Sequence, residues 1–172
     1  MSGSVTLRSL AAHDPEPIAA AFTALGWTSK PVAQFHDYLT EQSAGTRVCL
    51  VAEQDGTFAG YCTLLWTAAY EPFRSNGIPE IQDLNVLPRY RNLGIGTALL
   101  DAVEATARQR GNRVGLGVGL YSDYGPAQRL YVRRGYVPDG RGIVYDGSPV
   151  EPGSTISVDD AAVLMLIREF AM

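Results

Sequence analysis

The residues of this chain best suited to chemistry lie between Glu80 and Tyr136, in the run EIQDLNVLPRYRNLGIGTALLDAVEATARQRGNRVGLGVGLYSDYGPAQRLYVRRGY. At its centre Arg91, Gly94 and Gly96 form an Arg-x-x-Gly-x-Gly loop directly ahead of an amphipathic stretch. The first N–H groups of a helix have no partner within it, and that end of the helix dipole is positive. Phosphate oxygens fit such an end. Gly94 and Gly96 remove side chains where a diphosphate would touch the main chain, and Arg89 and Arg91 bring positive charge to the mouth. Further along, Tyr131 carries a phenol that stays protonated near neutral pH and can donate its proton. The loop lacks the Lys and Ser/Thr of a Walker loop and the third glycine of the dinucleotide fingerprint. Taken alone, its residue types suit a phosphate and an ordinary strand–helix turn equally well.

These groups need elements to hold them. Ile95, Ala98, Leu99, Ala102, Val103 and Thr106 recur at helical spacing and predict a helix over 94–110, ended by Gly111 with Arg108 and Arg110 in the last turn. Strands are predicted at 5–10, 80–87 and 113–120. Helices are predicted at 14–25 and 31–44, separated by Gly26 and Pro31, and a short helix at about 126–134. RVCLVAE and TFAGYCTLLW alternate around Asp55-Gly56, a hairpin pattern. With a two-residue turn there, Cys49 stands directly opposite Cys62 in a non-hydrogen-bonded pair, where side chains come closest. A disulfide is then conceivable, against the reduced thiols expected of a cytosolic chain. TAAYEPFRSNGIP reads as turns and aromatics. After Tyr136 the chain is strand-like, with turns at Asp139-Gly140, Asp146-Gly147 and Pro152-Gly153, and it closes with the apolar run AAVLMLIREF. In RVGLGVGL, Val114, Leu116, Val118 and Leu120 point one way and Gly115, Gly117 and Gly119 the other. A bare glycine face implies close approach, by a packed helix or by a ligand.

A length of 172 residues suggests a single domain, 1–172, with a sizeable core. At 46% hydrophobic and 19% charged the chain is globular rather than disordered. A net charge of −4 argues against a broad nucleic-acid surface. Lysine occurs once, at Lys30, and nearly all positive charge is arginine. No long apolar run follows a basic stretch at the N-terminus, so neither a signal peptide nor a membrane span is indicated, and the cytoplasm is the expected compartment. Two cysteines cannot make a metal site alone, and no metal is expected. His13 and His36 have no paired nucleophile signature and read as surface or packing residues. The order strand, helices, hairpin, then strand–helix–strand argues for a mixed α/β sheet with helices on both faces.

In combination these residues resemble the GNAT superfamily of acyl-CoA-dependent N-acetyltransferases, over most of the chain and most specifically between 80 and 136. The family's loop, [Arg/Gln]-x-x-Gly-x-[Gly/Ala], is matched at Arg91, Gly94 and Gly96. Its later motif, N-x-x-A-x-x-L-Y-x-x-x-G-[F/Y], is matched at Ala127, Leu130, Tyr131, Gly135 and Tyr136, with Tyr124 in place of the asparagine. The resemblance implies an α/β (α+β) fold with a mixed, mostly antiparallel central sheet and splayed parallel strands at the cofactor site. It implies transfer of an acetyl group from acetyl-CoA to a primary amine by direct attack on the thioester. The diphosphate is then expected on the amides of Arg91, Asn92, Leu93, Gly94, Ile95, Gly96 and Thr97. The pantetheine arm is expected between the strands at 80–87 and 113–120, pairing with main chain near Leu84, Asn85 and Val86. An amide near Val86 would polarise the thioester carbonyl.

The resemblance further assigns Tyr131 as general acid to the departing thiolate. Glu80 matches the position of a catalytic glutamate in some relatives and is the expected general base, directly or through water. Such a base matters because only about one alkylamine in a thousand is neutral at pH 7. Other relatives carry an acid in the later strand, where this chain has Gly117. Asp83 is a further candidate, facing opposite to Glu80 by alternation unless the strand is bulged. Trp66, Tyr70 and Phe73 are candidates for an aromatic wall beside the amine, with Asp83, Tyr121 and Asp123 lining the site. Glu71, Asp159 and Asp160 are candidates for attracting a cation. Ordinary core or loop packing is an equal reading of each. The expected acceptor is a small-molecule amine. The alternatives are a protein or peptide amine, or a coenzyme A-binding module without turnover. A homodimer is left open.

Overall fold

The computed structural model describes residues 4–171. Its strands are β1 (Val5–Ser9), β2 (Arg47–Gln54), β3 (Thr57–Leu65), β4 (Glu80–Val86), β5 (Arg113–Gly119), β6 (Val137–Tyr145), β7 (Ser148–Pro149) and β8 (Ala162–Glu169). The helices are α1 (Pro15–Thr23), α2 (Val32–Ser43), α3 (Glu71–Ser75), α4 (Ile95–Arg108) and α5 (Gly125–Arg133). The strands form one mixed sheet in the order β1-β2-β3-β4-β5-β8-β6-β7. β4 and β5 pair in parallel at Glu80↔Gly115 and Ile81↔Leu116, and the pairings β1–β2, β2–β3, β5–β8, β6–β8 and β6–β7 are antiparallel. Contacts within the chain divide it into two units. The first runs to Leu65 and resumes at Asp83–Ala105; the second is Trp66–Gln82 and the chain from Thr106 on.

In the first unit α1 starts with Pro15, whose fixed φ suits a first helical position. Asp14, just ahead, accepts the Ala11 N–H at 2.7 Å and a forked pair of bonds from Arg8 at 2.6 and 2.8 Å. Leu10, Ile18, Phe22, Phe35, Tyr38, Cys49, Val51, Tyr61 and Leu87 form the core. Phe22 meets Phe35 and Tyr61 with ring centres 6.5 and 5.9 Å apart. Asp55 and Gly56 both take left-handed φ, of 52° and 76°, as a two-residue hairpin turn of the predicted kind requires.

The predicted Cys49–Cys62 pairing is overturned. The register runs Glu53↔Phe58 and then Ala52↔Gly60, so Ala59 is an extra residue in β3. This bulge moves every later pair by one. Cys49 stands opposite Thr63, and Cys62 opposite Leu50. A one-residue slip turns a side chain to the other face, so the two thiols lie on opposite faces of the hairpin, both buried and neither in a disulfide. Burial pushes the Cys49 thiol up to about 12 and also raises that of Cys62.

In the second unit the run read as turns contains α3. Ala68, Tyr70, Phe73, Ile78, Val144 and Met165 form a core cluster. The bare face of β5 is occupied by this packing, which answers the choice between helix and ligand. A Cβ on Gly115 would come inside 3.0 Å of three Phe73 ring atoms, and one on Gly119 inside 3.0 Å of the Tyr124 ring. At Gly117 it would meet Met165 Sδ at 3.0 Å. Phe73 is fully buried and cannot swing aside. Gly115→Ala is therefore expected to destabilise the fold by about 1–3 kcal/mol, read as a lower midpoint in chemical denaturation. An unchanged midpoint would show that the ring relaxes freely.

The turn predicted at Asp139-Gly140 is instead an irregularity inside β6. Pairing with β8 shifts between Pro138 and Ile143, where Gly140 and Gly142 take φ of 84° and 79°. The turn predicted at Asp146-Gly147 is present, with φ of 47° and 77°. The buried stripe of α4 is Ile95, Leu99, Leu100, Val103, Glu104 and Ala107. That is slightly rotated from the predicted face, since Ala98, Ala102 and Thr106 are half-buried. No helix among the described residues is long and apolar enough to cross a membrane.

Candidate functional site

The glycine loop belongs to the first unit. Asn92 and Gly94 take left-handed φ of 61° and 81°, with Leu93 between them on the ordinary side. Alternation of this kind turns successive main-chain N–H groups into one concavity, suited to an anion. Residues 91–94 and Thr97 are exposed, and α4 begins at Ile95 with the Ala98 N–H on the Gly94 carbonyl at 2.9 Å. A Cβ on Gly94 would meet nothing within 4 Å, and one on Gly96 only Val86 Cγ2 at 3.7 Å. Both glycines thus leave open space outside the loop rather than accommodating neighbouring packing. Such an opening at a helix start is suited to an anionic group. Arg91 is held beside the loop. Its Nε donates to the Val86 carbonyl at 3.2 Å, and its guanidinium lies 5.7 Å from the Trp27 ring centre. Arg89 lies over the Tyr90 ring at 4.7 Å.

The strand leading into the loop approaches β3 closely. A Cβ on Gly60 would come within 3.0 Å of the Asn85 carbonyl oxygen and 3.1 Å from Val86 Cα. The Leu87 N–H donates to the carbonyl of Ala59, the bulged residue, at 2.9 Å. Leu84, Asn85 and Val86 are half-buried. Just before them Asp83 takes a φ of +55°. A left-handed aspartate within a strand stores on the order of 1–3 kcal/mol of strain, a mark of functional sites. It also breaks the simple alternation that set Asp83 opposite Glu80. The Asp83 carboxylate is fully engaged: Lys30 Nζ donates at 2.7 Å, Gln34 Nε2 at 2.9 Å, and the Tyr38 hydroxyl donates as well. Burial and the adjacent Asp83 charge raise the Tyr38 phenol, which keeps its proton.

The second unit carries the other predicted groups. Glu80 is half-buried at the start of β4, in register with Gly115. Tyr131 is 7% exposed on α5, its ring centre 5.7 Å from that of Tyr136. Trp66 lies under the Arg110 guanidinium, 3.8 Å from its ring centre. Tyr70 and Phe73 belong to the core, edge to face at 5.0 Å. The Tyr70 hydroxyl donates to Asp139 at 2.8 Å, and burial with that bond pushes it up to about 12. Neither is a free aromatic wall. The Tyr121 and Tyr124 hydroxyls both donate to Asp160, Tyr124 at 2.9 Å, and Asp123 is exposed beside Ser122. Among the described residues no group of His, Cys, Asp and Glu side chains is placed to hold a metal ion.

Sequence reasoning missed Lys30, Gln34, Tyr38 and Tyr61. The single lysine was the available signal; its pairing with Asp83, distant along the chain, was not.

Comparison with known proteins bears on the whole arrangement. Residues 11–136 match the protein-family model described as the acetyltransferase (GNAT) family. No curated protein matched the chain. Solved structures share the fold. A GNAT-family protein from Desulfovibrio desulfuricans is 19% identical with a TM-score of 0.73, the match covering 98% of this chain and 100% of that one. A ribosomal-protein-alanine N-acetyltransferase from Brucella melitensis is 18% identical at 0.70, covering 96% and 99%. An N-acetyltransferase from Thermoplasma acidophilum in complex with coenzyme A is 16% identical at 0.66, covering 97% and 99%.

Proposed function

This chain belongs to the GNAT family of acetyltransferases, and from that premise we propose that it acetylates the primary amine of a small molecule by direct attack on the thioester of acetyl-CoA. The observation that supports this reading is the open glycine loop, with left-handed Asn92 and Gly94 at the start of α4. Its main chain from Arg91 to Thr97 would hold the diphosphate, and Leu84, Asn85 and Val86 the pantetheine arm. When bound, acetyl-CoA supplies an electrophilic carbonyl carbon. Glu80 takes the proton of the incoming ammonium, directly or through water, and the Tyr131 hydroxyl donates a proton to the leaving thiolate.

Calorimetry with coenzyme A tests the loop. Saturable binding is expected, and no association at millimolar concentration would end the proposal. Thiol-release assays over a panel of amines and peptides test the acceptor; acetylation of peptides alone would move the activity to protein substrates. Glu80→Gln tests the base. A base works only when deprotonated, so wild-type kcat/KM falls as pH drops below its pKa. The variant is expected to lose that acidic limb, and an unaltered limb would remove Glu80 from the role.

A further inference from the structure

The Lys30 ammonium has more N–H donors than it has partners among the described residues. Lys30 stands between α1 and α2, and its ammonium carries three N–H groups, of which Asp83 takes one at 2.7 Å. Asp83 already accepts from Lys30, Gln34 and Tyr38, so it fixes the ammonium in place without using its remaining capacity. The Lys30 side chain is 16% exposed and that of Asp83 25%, shielded yet within reach of a solute. Beside them lies Tyr61, with Lys30 Nζ 6.0 Å from its ring centre. The Tyr61 residue is fully buried, and its hydroxyl has no hydrogen-bond partner. A buried polar group without a partner is uncommon in a finished fold. A phenol both donates and accepts, whereas the ammonium only donates, so it is the ammonium with donors to spare that calls for an anionic oxygen.

We propose that Lys30 binds a carboxylate of the acceptor, so that the amine acetylated belongs to an amino-acid-type molecule. This rests on the N-acetyltransferase reading above and adds the acceptor class to it. Asp83 is followed directly by Leu84, Asn85 and Val86, the main chain assigned to the pantetheine arm. The carboxylate that holds the ammonium at 2.7 Å therefore branches from the residue next to that arm. An α-amino acid, with its carboxylate and amine on one carbon, would place its amine beside that arm while its carboxylate meets Lys30. A polyamine would bring its positive charge against Lys30, and a plain alkylamine would leave the spare donors unanswered.

The test compares matched pairs: phenylalanine with phenethylamine, and leucine with isoamylamine. Wild-type kcat/KM is expected to favour the carboxylate-bearing member by about 10–100-fold, the range of a hydrogen bond to a charged group. Lys30→Met is expected to erase that ratio by slowing the amino acids while sparing the amines, and Lys30→Arg to keep part of it. Wild-type enzyme that acetylates the plain amines as well as or better than their amino acids overturns the inference and leaves the activity standing; that comparison needs no variant to fold. An unchanged ratio in Lys30→Met overturns it too. Protein that binds coenzyme A and acetylates nothing in the panel overturns both this inference and the proposed activity.

Discussion

Tyr131→Phe is expected to lower kcat by about 10²–10⁴-fold, the usual contribution of a positioned proton donor, with coenzyme A affinity unchanged. The substitution removes one oxygen and keeps the ring, which is 7% exposed and packed at 5.7 Å on Tyr136. Shape is therefore conserved, and the structural cost is limited to about 1 kcal/mol for a lost hydrogen bond. The two effects separate cleanly. Steady-state kinetics with thiol release report the chemical step, calorimetry reports the coenzyme, and thermal unfolding reports the fold. A variant with wild-type kcat would show that Tyr131 is packing alone, and the departing thiolate would need another proton source. Loss of kcat together with coenzyme binding would point to a displaced α5 instead.

Gly60→Ala is expected to damage the fold and the coenzyme site at once. The added methyl would meet two main-chain atoms, the Asn85 carbonyl oxygen inside 3.0 Å and Val86 Cα at 3.1 Å. Backbone cannot rotate away as a side chain can, so β3 and β4 must separate. Overpacking of this kind costs about 1–3 kcal/mol, and this site belongs at the upper end. Asn85 and Val86 are also the residues proposed to carry the pantetheine arm, so coenzyme A affinity should fall by about tenfold or more, as 1.4 kcal/mol of lost binding corresponds to a factor of ten. Gly111→Ala is the control. A Cβ there meets nothing within 4 Å and its φ is not left-handed, so stability should hold or rise slightly. Equal behaviour of the two variants would refute the steric argument.

Local patterns were the legible part of this sequence. Helical spacing from Ile95 to Val103 located α4, strand–loop–helix order located the glycine turn, and Asp55-Gly56 located the hairpin. Each depends on residues within one turn or one strand pair. What escaped depends on residues far apart. Ala59 bulges where its carbonyl accepts the Leu87 N–H, and no alternation within β2 or β3 encodes that. The glycine face of β5 was recognised as a place of close approach, but Phe73, which fills it at Gly115, comes from a distant segment read as turns and aromatics. The Lys30–Asp83 pair joins the loop between α1 and α2 to a strand residue whose left-handed φ breaks the period-2 rule used to orient it.

The fit of Phe73 into Gly115 has a consequence for anyone who varies this scaffold. The two positions share one volume, so neither can be chosen independently of the other. A library that randomises position 115 with Phe73 fixed will return glycine. One that shrinks position 73 while keeping Gly115 will open a void about the size of the missing ring. Only joint variation explores sequences that fold, and a smaller side chain at 73 should tolerate alanine at 115 where phenylalanine does not.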